Sequence, residues 1–113
     1  MPIKDQPFAY QENDNIFLEI SKKVFQITQG NGKFYLPKVS PDGLKVLYEE
    51  LSTGIYISNI DGTDAVNIGM GNNPNWSPDS RYIVYDISQD DGHVITASEL
   101  FISDIRGAEK TQL

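Results

Sequence analysis

Asp90-Asp91-Gly92-His93 sets two adjacent carboxylates beside the chain's one imidazole, a donor set able to take a divalent cation. Calcium, however, draws six to eight oxygens from a preformed loop, and paired acids before glycine more often make a tight turn. Asp61-Gly62-Thr63-Asp64 lacks the flanking helices and downstream glutamate of a helix-loop-helix calcium site, so it reads as a hairpin. Nucleophilic catalysis would need His93 beside an activated serine, and no Gly-x-Ser-x-Gly elbow or comparable context is present. Paired carboxylates doing acid and base work are not distinguished from the sixteen acidic side chains as a whole. Gly30-Asn31-Gly32 precedes no helix start, so no converging amides cradle a phosphate. Asn75-Trp76-Ser77 fits a glycosylation sequon, but Pro78 follows it directly and a strand position would hide it. The expectation is no enzyme, no cofactor and no metal.

The elements that would position these residues follow from a repeat. Ser40-Pro41-Asp42-Gly43 recurs as Ser77-Pro78-Asp79-Ser80, 37 residues on, and each copy precedes an apolar segment ending in tyrosine, Lys45 to Tyr48 and Tyr82 to Tyr85. Ile55-Tyr56-Ile57-Ser58-Asn59-Ile60-Asp61-Gly62 matches Leu100-Phe101-Ile102-Ser103-Asp104-Ile105-Arg106-Gly107 at an offset of 45, which marks an insertion around Gln89 to Ser98. A weaker upstream copy has Phe8-Ala9-Tyr10 and Ile16 to Ile20 but no Ser-Pro-Asp-Gly. Short segments of Ile, Val, Leu, Tyr and Phe between Gly, Asp, Asn and Pro clusters predict about eleven strands and no helix. Several are apolar at consecutive positions, so both faces should be covered, as in a sheet between two sheets. Four short antiparallel strands per unit of about forty residues describe a β-propeller blade.

The chain of 113 residues is long enough for one core, and 39% hydrophobic with 22% charged residues excludes disorder or a coiled coil. A formal charge of −7 disfavours phosphate backbones, so no nucleic-acid partner is expected. With no cysteine there is no disulfide framework. No apolar run reaches the ~18 residues of a membrane span, and the opening residues do not read as a signal peptide.

Pro37 to Gly43 with Ile55-Tyr56 and Asp61-Gly62, then Pro74 to Asp79 with Glu99-Leu100-Phe101 and Asp104, resemble the TolB-like β-propeller repeat, which also occurs in the propellers of prolyl-oligopeptidase-type peptidases. The resemblance covers residues 33 to 113 well and 8 to 30 loosely. It implies an all-β partial propeller of about two and three-quarter blades, over residues 7–30, 34–69 and 74–113. Propellers of this family generally have six or seven blades, so the expectation is completion by a second chain, a homodimer closing six blades, because bare blade faces invite aggregation.

Blade topology puts the stereotyped Ser-Pro-Asp and Asp-Gly turns at one end and the variable loops at the other, where recognition is expected. Candidate binding residues are Lys38 on an innermost strand, Asn72, Asn73, Asn75 and Trp76 around the next one, and Asp90, Asp91 and His93 in the insertion. Each has a plainer reading: a lone tryptophan is usually a packing anchor, and a lysine is usually solvated. The expected function is a non-enzymatic scaffold for a protein or peptide, its acidity suiting a basic partner. The rival is a gating propeller fragment of a prolyl-oligopeptidase-type hydrolase whose catalytic domain lies elsewhere. By the resemblance the compartment would be periplasmic if the chain is exported as TolB is, and otherwise cytoplasmic.

Overall fold

The computed structural model describes residues 7–90 and 95–113, which form eleven strands in three antiparallel sheets and no helix. The first sheet has three strands in sequential order, β1 (Phe8–Glu12), β2 (Asn15–Ile20) and β3 (Lys23–Gln26). The second is a four-stranded meander of β4 (Phe34–Val39), β5 (Lys45–Glu50), β6 (Gly54–Asn59) and β7 (Val66–Gly69). The third repeats it with β8 (Asn72–Trp76), β9 (Tyr82–Asp90), β10 (Ile95–Asp104) and β11 (Lys110–Gln112). Among the described residues the first sheet has no counterpart of β4 and β8, and β1 is its outermost strand on that side. Among the described residues no helix is long and apolar enough to cross a membrane.

The Ser-Pro-Asp turns fold alike because their side chains close the same network twice. Ser40 Oγ donates to Asp42 Oδ1 at 2.6 Å and accepts from Lys45 N, while Leu44 N donates to the same carboxylate. Ser77 Oγ, Asp79 Oδ1, Tyr82 N and Arg81 N repeat these bonds. The residue after aspartate sits at positive φ, +77° at Gly43 and +64° at Ser80, so glycine is the unstrained choice in the first copy.

The described part of the insertion, residues 89–90 and 95–98, extends two paired strands. β9 and β10 are nine and ten residues long, and the ladder runs on through Ser98↔Ser88 and Ala97↔Gln89 to Ile95↔Asp90. Extra residues on both arms can stay paired, which satisfies their backbone groups without tertiary support.

Side chains alternate across β5. Val46 and Tyr48 enter a core with Ile16, Leu18 and Ile27 of the first sheet, whereas Leu47 enters one with Ile55, Ile57, Ile68, Ile83 and Tyr85. The second sheet is therefore covered on both faces, which accounts for its consecutive apolar residues. Among the described residues the first and third sheets each contribute one face to these cores.

Candidate functional site

The innermost strands β4 and β8 begin with the same irregularity. Each carries a bulge, between Tyr35 and Lys38 and between Asn72 and Asn75, and each holds the residue before its proline in the left-handed region, Leu36 at φ +51° and Asn73 at +54°. Proline has no N–H to give a ladder, and a bulge takes up the residue that cannot pair. A left-handed leucine is strained by ~1–3 kcal/mol, so neighbouring structure must hold it.

Beyond the bulge the two strands are strapped together. Half-buried Lys38 donates from Nζ to the Pro74 carbonyl at 2.8 Å and to Asn75 Oδ1 at 2.9 Å. Trp76 returns a bond from its indole Nε1 to the Lys38 carbonyl at 2.8 Å while its ring packs on the Leu47–Tyr85 core. One turn away, Asp42 N donates to the buried Ser80 Oγ. Lysine and tryptophan thus both serve the junction between two sheets.

Polar groups gather near this seam. Glu49, opposite Tyr35 on β5, is only 7% exposed; burial pushes its pKa up, partly offset by the Lys38 ammonium. The Tyr35 phenol is raised too, by burial and then by Glu49 and Glu50. Asp86, which holds on β9 the place that Glu49 holds on β5, has a buried Oδ1 without a hydrogen-bond partner among the described residues. Among those residues no group of three or more His, Asp or Glu is arranged to hold a metal.

The strand order places the β5–β6 turn and the β7–β8 link at one end, together with the start of β4. Glu50 organises that end. Its carboxylate accepts from Lys33 N at 3.1 Å and from Ser52 N, Thr53 N and Thr53 Oγ1 at 2.8 Å each. Those bonds, the one from Lys33 first, bring its pKa down to about 2. Gly54, at φ +103°, lets the link pass closely: a Cβ there would collide with the Gly69 carbonyl. That end displays three large apolar side chains to water, Leu36 in the β4 bulge (58% exposed), Leu51 in the β5–β6 turn (61%) and Met70 in the β7–β8 link (62%). Reading the sequence for polar and aromatic candidates passed over these three. For Leu51 and Met70 the signal was an apolar residue between strands, whereas Leu36 lies within one.

Of the candidates named from sequence, Lys38, Asn75 and Trp76 come together at the seam. Asn72 and Asn73 lie exposed at the loop end of β8. Asp90 closes β9 opposite Ile95. Asp91 and His93 lie outside the described residues. A cavity of about 470 Å³ opens at the other end, the end of the stereotyped turns, lined by Asp42, Asp79, Ser80, Arg81, Asp104 and Arg106 among others. Asp42 and Asp79 are already committed there, their acidity increased chiefly by the hydroxyls of Ser40 and Ser77.

No family model and no curated protein matches the chain. Solved structures do. A candidate TolB from Agrobacterium tumefaciens superposes with a TM-score of 0.68 at 17% identity, over 95% of this chain and 44% of that one. The fold is that of a TolB-like β-propeller segment. Tricorn protease gives a TM-score of 0.70 at 16% identity, over 96% of this chain and 12% of its own. TolB from Acinetobacter baumannii gives 0.63 at 18% identity, over 87% and 26%. The propeller segment spans less than half the length of each, and likeness at these identities is one of fold. Its three sheets stand as successive blades, the first showing no innermost strand among the described residues.

Proposed function

We propose that this propeller segment is a non-enzymatic scaffold that binds a protein or peptide at its loop end. The observation that carries the reading is the display of Leu36, Leu51 and Met70 at one end of the blades, where the Glu50 network fixes the β5–β6 turn that carries Leu51. Exposed apolar side chains on a rigid base are the usual make-up of a recognition surface. The net charge of −7 favours a partner segment that joins a basic stretch to an apolar anchor. The Ser40–Asp42 and Ser77–Asp79 pairs are occupied in their own turns.

A peptide array probed with the whole chain tests the reading. Bound peptides should combine Lys or Arg with a large apolar residue, and Leu51→Ser with Met70→Ser should weaken them at least tenfold while the thermal midpoint holds. Binding unchanged by the double variant, or no bound peptide, refutes it. The likeness to tricorn protease favours one second reading, a propeller segment serving a peptidase. In that case peptides would bind without preference for basic residues.

A further inference from the structure

Each blade carries a cross-strand aromatic pair on the face toward the preceding blade. Tyr48 and Tyr56 stack at 5.6 Å, and Tyr85 and Phe101 at 5.9 Å. Both pairs lie at blade junctions, with Tyr48 and Tyr85 only 2% and 3% exposed. Tyr10 and Phe17 form the same pair at 5.7 Å in the first blade, and Phe8 extends it with a third ring. Among the described residues no blade covers that pair, and Phe8 is 63% exposed.

The opposite face repeats as well. The second blade receives the Tyr85–Phe101 pair on Leu47, Ile55, Ile57 and Ile68. The repeat offsets of 37 and 45 carry these four to Val84, Leu100, Ile102 and Leu113 of the third blade. Ile55 and Ile68 are 0% and 2% exposed, whereas Leu100 and Leu113 are 53% and 66% exposed. The described residues therefore expose the aromatic half of such a junction on the first blade and the aliphatic half on the third.

We infer that the Tyr10–Phe17 flank of one chain docks on the Val84–Leu100–Ile102–Leu113 flank of a second copy, head to tail. The partner is the chain itself because its two internal junctions are built from this same pairing of surfaces. Two copies joined at both ends leave no such flank bare, and the symmetry closes. The contact is apolar while the copies share a charge of −7, so added salt should strengthen it.

The chain has no cysteine, which permits a clean test. Phe17→Cys and Leu100→Cys variants are treated with a short bis-maleimide, mixed and separately, and the unaltered chain is weighed by light scattering. The expected result is a covalent dimer at least tenfold more abundant in the mixture than in either variant alone, with a mass near twice 12.7 kDa for the unaltered chain. Equal cross-linking within a single variant would overturn the head-to-tail arrangement. A mass of 12.7 kDa at every salt concentration, with no cross-link, would overturn the second copy as occupant and leave these flanks to further blades of other sequence. Should either variant fail to fold, Tyr10→Cys with Leu113→Cys replaces the pair.

Discussion

Ile55 and Leu100 hold the same place in successive blades, so truncating each to alanine compares a covered junction with an uncovered one. Ile55 is fully buried in the core between the second and third blades, and the loss of its side chain beyond Cβ leaves a cavity that costs about 3–4 kcal/mol. Leu100 keeps 53% of its surface in water in the single chain, so the same truncation removes less than half of a full burial and costs about 1 kcal/mol. With a urea slope of ~1–1.5 kcal/mol/M for a domain of this size, Ile55→Ala lowers the midpoint by roughly 2–4 M and Leu100→Ala by about 1 M or less. Tyrosine circular dichroism or tryptophan fluorescence reads both transitions, at protein concentrations low enough to keep copies apart. Equal losses, or a larger loss for Leu100→Ala, would refute the assignment of Ile55 to an interior junction. Raising the protein concentration should then increase the cost of Leu100→Ala alone.

Two further outcomes follow from the seam and the loop end. Lys38→Met removes the bonds to Pro74 and Asn75 and the cation near Glu49, so it should cost about 1–3 kcal/mol in urea unfolding and make stability fall more steeply above the ordinary glutamate range. A variant as stable as the parent at every pH would show that the strap contributes nothing. Glu50 binds protons more weakly when folded, so its contribution is complete above its ordinary 4.5 and is lost as pH falls toward about 2. Thermal melts of Glu50→Gln should therefore differ most from the parent above pH 4.5 and converge with it near pH 2; a constant difference would count against the network.

The blade repeat was legible because the chain spells one hydrogen-bond network twice. Serine and aspartate in Ser-Pro-Asp bind the backbone of their own turn, so local sequence carries the whole instruction. Consecutive apolar residues in β5 likewise announced a sheet covered on both sides. Lys38 was harder to read, since its acceptors lie 36 and 37 residues away on the neighbouring blade and nothing nearby in sequence names them. The insertion looked like a recognition loop because its composition is polar, yet backbone pairing carries β9 and β10 through much of it. Leu36, Leu51 and Met70 escaped notice because exposure depends on which turns share an end, a property of topology. Tyr10 and Phe17 resemble Tyr85 and Phe101 in type; what sets them apart is that no blade covers them among the described residues.

The chain's single tryptophan sits at the strap between innermost strands, so its indole proton reports directly on whether blades stack as described. In a proton NMR spectrum of the whole chain, the account predicts one indole resonance, protected from solvent exchange, with nuclear Overhauser contacts to the Lys38 and Val39 backbone. An indole that exchanges rapidly and shows no contact with those residues would contradict it.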